Sequence, residues 1–322
     1  MRKVKVGVIS FLRSMPGWES PTTSQENIQQ ALDWIDAAGE EGCDILCLPE
    51  SFNVVGTTAL FDSGVGNPEA ILAAVEETPG PISEAVAAKA RQHRMYVIPV
   101  YLVREAGRIL NRASIFDRQG KLVGAYDKFN PTEYELKEWG VTPGSDLPVF
   151  DLDFGRIAIL ICYDMFFPEM MRIYSLKGAE IVFLSTGNIT PSPRVVYEQL
   201  RVRASDYSVH VAMSNFAIAP PYAPHAGRVL PSRACIVDYD GIIIADTGHR
   251  PGLATATIDL DAPRINTVDD LESAPRLMRE GFEAFTKLEE YAHEYLALAE
   301  GQRKCYRELQ DGVAQKGEDS QS

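Results

Sequence analysis

An unbroken apolar run that stops at a cysteine is the feature that most constrains the fold of this chain. Residues 157–161 read IAILI, which has the length and β-branched content of a strand buried on both faces, as in a covered parallel sheet. The run ends in Cys162, and a helix is predicted just after it. A thiol on such a strand-to-helix turn lies where the helix dipole favours a thiolate. The alternative interpretation is that Cys162 packs as one more small buried side chain.

The order of predicted elements repeats along the chain. Each half shows strand, helix, strand, helix and then three strands. The predicted elements of the first half are residues 4–10, 23–41, 44–48, 82–93, 96–103, 113–117 and 122–126. Those of the second half are residues 156–163, 168–177, 180–185, 195–208, 209–214, 233–238 and 242–246. Two such halves can stack sheet on sheet, so we predict an α/β fold, a four-layer αββα sandwich of two pseudo-repeated halves with a C-terminal helical extension.

Three segments follow from the composition along the chain. Residues 1–265 are predicted to form the αββα domain, and residues 266–311 a helical extension that packs on the domain or on a partner subunit. The extension carries one apolar stripe at helical spacing on an otherwise charged helix. The stripe consists of Phe282, Phe285, Leu288, Tyr291, Tyr295 and Leu298. Residues 312–322 are polar and charged, so this tail is expected to be disordered.

Composition narrows the class of protein. The chain has 322 residues, 45% of them hydrophobic, which is enough for a large core. A formal net charge of −14 argues against nucleic acid or an anionic membrane as partner. We find neither a membrane-spanning apolar run nor a signal peptide, and the five cysteines show no disulfide pattern, so a cytoplasmic protein with reduced thiols is expected. Cysteines and histidines lack metal-ligand spacing, and no metal or other cofactor is predicted.

Three polar side chains lie at the ends of predicted buried strands: Glu50, Lys128 and Cys162. Singly, a charged residue at a strand end is usually a solvated loop residue. Their contexts are LPES at 48–51, YDKFNPTEYE at 126–135 and ICYDMFFPE at 161–169. Together these motifs resemble the glutamate, lysine and cysteine motifs of the nitrilase superfamily of carbon–nitrogen hydrolases. The resemblance covers residues 4–261, and PSRA at 231–234 departs from the Gly-x-Ser that many members have there.

The resemblance implies a Glu, Lys and Cys catalytic set on an αββα sandwich. A free thiol is only a few per cent ionised at neutral pH, so a nucleophile needs a base or a positive field. Our hypothesis is that Glu50 takes the proton of Cys162 as the sulfur attacks an amide carbonyl, and later activates water. Lys128 and the backbone N–H of Tyr163 are expected to hold the oxyanion.

A second glutamate that positions the lysine and substrate is common in the family. Glu135 follows Lys128 at the spacing of several relatives and is our choice, with Glu138 as the alternative. On a helix the two carboxylates would share one face, so only one need point inward.

The residues after Cys162 bear on the reaction. The resemblance associates Tyr-Asp followed by Phe-Pro-Glu, here residues 163–164 and 167–169, with amide and N-carbamoyl hydrolysis. We therefore predict an amidase that cleaves a small linear amide or N-carbamoyl substrate, with water, through a cysteine thioester. Asn188, Arg194 and Phe166 are candidate substrate contacts, although turn-forming residues in a solvent loop explain the first two equally well. Relatives are commonly oligomeric, so a homodimer or larger assembly is expected.

Other functions stay open at this point. Nitrile hydrolysis and acyl transfer to an amine would use the same Glu50, Lys128 and Cys162. A scaffold of the same fold would not need these side chains, which are costly to desolvate. A papain-like Cys/His pair would need a histidine beside Cys162, and His210, followed by Asn215, is the nearest candidate.

Overall fold

The first half of the chain forms one sheet of the fold. The computed structural model describes residues 1–12, 22–57, 67–187, 193–217, 233–248, 250–262 and 287–300. The strands of this half are β1 (Lys3–Leu12), β2 (Ile45–Glu50), β3 (Glu76–Glu77), β4 (Tyr96–Glu105), β5 (Arg108–Phe116) and β6 (Leu122–Asp127). They lie in the order β6-β5-β4-β2-β1, with β1, β2 and β4 parallel and the β4-β5 and β5-β6 pairs antiparallel.

The second half repeats this arrangement. Its strands are β7 (Phe150–Asp151), β8 (Arg156–Ile161), β9 (Ile181–Ser185), β10 (His210–Ala217), β11 (Cys235–Val237), β12 (Ile243–Asp246) and β13 (Gly252–Asp259). The order β12-β11-β10-β9-β8 again has three parallel strands followed by two antiparallel pairs. Strand β13 pairs with β1 of the other half along its whole length. The two sheets meet where Ser10, Phe11 and Leu12 of β1 pair with the end of β10.

Helices cover the outer face of each sheet. They are α1 (Ser24–Glu40), α2 (Pro68–Ala73), α3 (Pro81–His93), α4 (Glu133–Lys137), α5 (Pro168–Leu176) and α6 (Pro193–Tyr207). Val4, Val6 and Val8 of β1 share one core cluster with the second sheet, whereas Ile9 and Phe11 belong to another cluster with α1 and α3. Because alternate side chains of a strand point to opposite faces, this division gives four layers, as predicted.

The N-terminus of α1 shows why local sequence sets an element boundary. Thr23 accepts a hydrogen bond from the Glu26 backbone at 3.1 Å, and the Glu26 carboxylate accepts one from the Thr23 backbone at 2.7 Å. This capping box satisfies amide groups that the helix leaves unpaired. Buried residues Ala31, Ile35 and Ala38 then follow at helical spacing and face the sheet.

Several predicted boundaries were wrong. Strand β2 runs through Pro49 to Glu50 instead of ending before them, because its pairing with β4 shifts at a bulge where the missing N–H of proline costs no ladder bond. Strand β8 ends at Ile161, before the cysteine. Strand β5 begins at Arg108 rather than at Ala113, since the hairpin turn lies at Ala106 and Gly107, both with positive φ. The short elements β3, β7, α2 and α4 were not predicted.

Two compact units make up the chain, Met1–Ile265 and Asn266–Ser322. Within the second unit the structure describes residues 287–300, which are helical over 288–300. Leu288, Tyr291, Tyr295 and Leu298 of the predicted stripe are exposed there. Phe282 and Phe285 lie outside the described residues. The predicted boundaries at 265 and 311 remain predictions.

Candidate active site

Four side chains named from the sequence converge where strands of both sheets end. Glu50 is the last residue of β2, Lys128 follows β6, Cys162 follows β8, and Glu135 lies on the short helix α4. Lys128 is 1% exposed and Glu135 3%. Glu138, the alternative to Glu135, is exposed, so the structure brings only the first of these two glutamates to the lysine.

Lys128 is hydrogen-bonded to both glutamates. Its Nζ lies 2.8 Å from Glu50 Oε1, and 3.0 and 2.8 Å from Glu135 Oε1 and Oε2. The backbone of Thr132 donates to Glu135 Oε2 at 2.7 Å and caps α4 in the same contact. Two carboxylates and one ammonium make a buried cluster with one excess negative charge.

Charge pairing outweighs burial in this cluster. Burial by itself would lower the pKa of Lys128, but the charges of Glu50 and Glu135 raise it above its ordinary value. Burial would raise the pKa of Glu135, but the charge and hydrogen bond of Lys128 lower it. The lysine is therefore a fixed cation and Glu135 a fixed anion at neutral pH.

Cys162 begins a turn of 3₁₀ helix, Cys162–Phe166, and its φ is 45°. A non-glycine residue in this left-handed region is uncommon and bends the chain sharply between strand and helix. Burial, followed by the charge of Glu50, raises the pKa of the thiol to about 12, and Lys128 and a hydrogen bond with Thr186 oppose that rise only in part. The expected thiolate is thus absent at rest, and the sulfur needs a base to take its proton.

Asp164 ties the cysteine turn to the lysine segment. Its Oδ2 accepts hydrogen bonds from the Tyr126 hydroxyl at 2.6 Å and the Ile161 backbone at 3.0 Å. Its Oδ1 accepts from the Asn130 backbone at 2.8 Å and the Asn130 side chain at 3.1 Å. Burial raises the pKa of Asp164, and these donors partly offset that effect. Asp164 therefore anchors the turn after Cys162 to the segment after Lys128.

Gly144, in the TPG segment at 142–144, supports the lysine from the other side. Its N–H donates to the Lys128 carbonyl at 2.8 Å, and a Cβ at this position would lie 2.2 Å from the Asp127 carbonyl oxygen. Only glycine allows this approach, which holds the backbone of Lys128 in place.

The last residue of β9 and the two residues after it make contacts around the site. Ser185 Oγ donates to the Leu48 carbonyl at 2.8 Å, Thr186 is hydrogen-bonded to Cys162, and the Gly187 N–H donates to Glu50 Oε2 at 3.1 Å. Asn188, the next residue in the sequence, was predicted as a substrate contact, but Thr186 and Gly187 were not singled out. Their position at the end of a buried strand was the available signal.

Asn111 is the other residue that the sequence analysis missed. It lies on β5, and its Nδ2 donates to Glu50 Oε1 at 2.8 Å and to Glu135 Oε1 at 2.7 Å. The predicted strand began too late to include it. Had the strand been extended, a polar residue on the same face as Ala113 and Ile115 would have stood out.

The remaining predicted contacts differ in how far the structure describes them. Phe166 is partly buried, and its ring lies 5.7 Å from that of Tyr163, whose side chain is exposed on the same turn. Asn188 lies outside the described residues. Arg194 falls on α6, and its side chain is not among those described.

His210, the candidate partner of Cys162 in a papain-like pair, packs against a tyrosine ring. The ring of His210 stacks edge-on against Tyr239 at 5.3 Å and is not among the groups that act on the thiol. Within the described ranges, no group of three or more His, Cys, Asp or Glu side chains could hold a metal ion.

None of the described helices has the length and apolar character needed to cross a membrane.

Comparison with known proteins agrees with the geometry. A sequence profile of the family described as carbon–nitrogen hydrolase matches residues 12–264. The chain belongs to the carbon–nitrogen hydrolase family. The match confirms the resemblance carried by the glutamate, lysine and cysteine motifs, and it makes the protein a hydrolase of carbon–nitrogen bonds.

Relatives of this carbon–nitrogen hydrolase include the omega-amidase NIT2 of Homo sapiens, 26% identical over 260 residues, 78% of this chain and 89% of that protein. Nitrilase homolog 2 of Dictyostelium discoideum is 28% identical over 261 residues, 78% of this chain and 74% of its own. A solved structure of the amidase from Nesterenkonia sp. AN1, with acrylamide added at its active-site cysteine, has a TM-score of 0.65 and 21% identity and covers 80% of this chain and 94% of that one. This likeness confirms the predicted fold.

Proposed function

We propose that the protein is an amidase that cleaves a small linear amide or N-carbamoyl compound to an acid and ammonia or an amine. The observation that carries the proposal is the placement of Cys162, on the sharp turn after β8, beside a carboxylate that accepts a hydrogen bond from Lys128. Desolvation and the charge of Glu50 raise the pKa of this half-buried thiol, so it is protonated at neutral pH. A thiol in that state cannot attack without a base, and Glu50 is the carboxylate whose charge acts most strongly on it.

Acylation begins when Cys162 Sγ attacks the amide carbonyl carbon and Glu50 takes the thiol proton. Lys128 and the backbone N–H of Tyr163 stabilise the oxyanion of the tetrahedral intermediate, a contact whose loss typically costs about 10²- to 10³-fold in rate. Glu50 then gives the proton to the departing nitrogen as the C–N bond breaks. Ammonia or an amine leaves, and the acyl group stays on sulfur as a thioester.

Deacylation uses the same carboxylate. Glu50 takes a proton from water, whose oxygen attacks the thioester carbonyl, and the C–S bond breaks as the proton passes to sulfur. Glu135 keeps Lys128 in position through both steps by its two hydrogen bonds of 3.0 and 2.8 Å.

Substrate contacts form the less detailed part of the proposal. Phe166 and Tyr163 supply aromatic surface next to the nucleophile. Asn188 is proposed to meet a polar substrate group and Arg194 a carboxylate. Relatives named omega-amidase make ω-amides of dicarboxylates a class to test first.

We also propose a cytoplasmic homo-oligomer. The cysteines Cys43, Cys47, Cys162 and Cys235 are free thiols, which suits a reducing compartment. The exposed apolar stripe on the helix at 288–300 supports association through that helix. Light scattering of the full chain during size-exclusion chromatography tests the number of subunits, and a monomer at micromolar concentration would contradict this proposal.

Ammonia release tests the proposed reaction. Wild type, Cys162→Ala and the matched control Cys43→Ala are assayed on short aliphatic amides, ω-amides of dicarboxylates, N-carbamoyl amino acids and nitriles. We expect release by wild type and by Cys43→Ala, whose thiol is buried in the core of the first half, and none by Cys162→Ala. Mass spectrometry of the wild type should show the acyl group on Cys162.

Other outcomes separate the alternatives. Full turnover by Cys162→Ala would refute the nucleophile. Preferred release from nitriles, or transfer of the acyl group to an added amine in preference to water, would replace amide hydrolysis by those reactions. No turnover of any compound, with no acyl-enzyme, would favour a non-catalytic scaffold.

A further inference from the structure

Four hydrogen bonds form a closed ring among Lys128, Glu50, Asn111 and Glu135. Lys128 Nζ contacts Glu50 Oε1 at 2.8 Å and Glu135 Oε1 at 3.0 Å, and Asn111 Nδ2 contacts the same two oxygens at 2.8 and 2.7 Å. Donors and acceptors alternate around the ring. The two carboxylates thus share one cation and one neutral amide.

The orientation of the Asn111 amide follows from these contacts. Ionised carboxylate oxygens only accept hydrogen bonds, so the atom of Asn111 between them must be the nitrogen. Its Oδ1 is buried and has no hydrogen-bond partner in the described part of the chain. Burying a carbonyl oxygen without a hydrogen-bond partner is unfavourable. Asn111 bears this cost while its Nδ2 donates to both carboxylates.

The backbone also holds Asn111 opposite the lysine. The Lys128 N–H donates to the Asn111 carbonyl at 2.9 Å where β5 and the end of β6 meet. The next residue, Arg112, points to the other face of the strand and binds Glu105 and Asp127. Because neighbouring side chains of a strand point to opposite faces, Asn111 joins the ring and Arg112 does not.

We propose that Asn111 is a positioning residue that holds the Glu50 carboxylate in place beside Cys162. Its two N–H donors stabilise both carboxylates at a place where the single charge of Lys128 cannot neutralise them. With Oε1 of Glu50 held by Asn111 and Lys128, its Oε2, which accepts from Gly187 at 3.1 Å, is the oxygen that exchanges the proton. This inference rests on the proposed amide hydrolysis.

Two substitutions of similar size separate donation from packing. Asn111→Leu removes both donors, and Asn111→Asp replaces them with a third carboxyl group. The hydrogen bond from Asn111 is one of the contacts that lower the pKa of Glu135, so losing it favours the protonated form of that carboxyl. We therefore expect the acid limb of the pH profile of kcat/KM to move up by about one pH unit in Asn111→Leu and further in Asn111→Asp. A packing role predicts the opposite order, since Asp is the closer match in shape.

Alkylation of Cys162 by iodoacetamide provides a readout that needs no turnover. At pH 8 the reaction should slow about tenfold in Asn111→Asp, since a third negative charge raises the pKa of the thiol by about one unit, and less in Asn111→Leu. If no amide is hydrolysed, the proposed function fails while this measurement still tests Asn111. Asn111→Ser, which is smaller and keeps one O–H donor, should show a smaller shift in the same direction and serves if the other variants do not fold.

The matched control is Asn27, a buried asparagine on α1 whose Nδ2 donates to the Val55 carbonyl at 2.6 Å and whose Oδ1 has no partner among the described residues. Asn27→Leu and Asn27→Asp should lower the unfolding temperature without moving the pH profile. Unchanged pH and alkylation profiles in folded Asn111 variants, or a milder effect of Asp than of Leu, would overturn the proposal.

Discussion

Removing the cation from the buried cluster should cost stability in a way that depends on pH. In Lys128→Met, the carboxylates of Glu50 and Glu135 face each other without a counter-ion. Their Oε1 atoms lie 2.8 and 2.7 Å from the same Asn111 nitrogen, so they are close neighbours. Two unit charges about 5 Å apart repel by about 3 kcal/mol at an effective dielectric constant of about 20. We therefore expect a loss of about 3 to 5 kcal/mol in the free energy of unfolding at pH 8, the range for breaking a buried ion pair.

The sign of the pH dependence distinguishes this cause from a simple packing defect. In wild type the pKa of Glu135 is lowered, so its contribution is present above the ordinary glutamate value of about 4.3 and is lost as pH falls through the folded value. In Lys128→Met, repulsion raises the pKa of one carboxylate, so the folded state binds a proton more tightly and stability rises as pH falls from 8 towards 5.

Urea unfolding at pH 5, 6, 7 and 8 measures the effect. Glu135→Gln in the Lys128→Met background should restore about 3 kcal/mol at pH 8 by removing one of the two charges. The control is Lys137→Met, which breaks an exposed pair with Glu133 and should change stability by about 0.5 kcal/mol or less. An equal loss at pH 5 and pH 8, or no recovery in the double variant, would refute the electrostatic reasoning.

Three further predictions concern the nucleophile and its turn. The Asp164 carboxylate accepts four hydrogen bonds, and in Asp164→Asn an N–H would face two of those donors. Urea unfolding should therefore show a loss of about 2 to 4 kcal/mol in the free energy of unfolding, and kcat/KM should fall about 10²-fold. An unfolding midpoint and a rate equal to those of wild type would contradict this. Because the pKa of Cys162 is about 12, its alkylation rate in wild type should keep rising up to pH 10, and a plateau near pH 8.5 would contradict the buried neutral thiol. Glu50→Gln should abolish ammonia release yet speed the alkylation of Cys162 at pH 8, because the charge of Glu50 raises the pKa of the thiol; slower alkylation would contradict that assignment.

The motifs pointed to Glu50, Lys128 and Cys162 and carried less information about the residues that support them. Glu50 ends β2, Lys128 follows β6 and Cys162 follows β8, so each lies where a strand leaves its sheet. Thr186 and Gly187 reach the site from a fourth strand end that carried no charged residue. Their position at the end of a buried strand was the one available signal, because their contacts use a hydroxyl and a backbone N–H.

The predicted end of β2 was wrong because pairing with a neighbouring strand overrides the local preference of the sequence. Pro49 predicted the end of a strand, yet β2 continues to Glu50 because the pairing with β4 shifts at that point. Had β2 ended earlier, Glu50 would have been a loop residue rather than a side chain held at a sheet edge. The same bulge therefore helps to place the proposed base.

The sequence by itself determined the α/β class and the two repeated halves, because periodicity is a local property. It also carried the motifs whose resemblance to the nitrilase superfamily points to Glu50, Lys128 and Cys162. Only the tertiary structure showed which of Glu135 and Glu138 contacts Lys128, added Asn111 to the lysine cluster and raised the pKa of the Cys162 thiol. These are matters of burial and of distances between residues far apart in the chain. The pKa of Cys162 shows the reason: position on a turn favours a thiolate, but desolvation and the charge of Glu50 outweigh it, and neither can be known before the chain is folded.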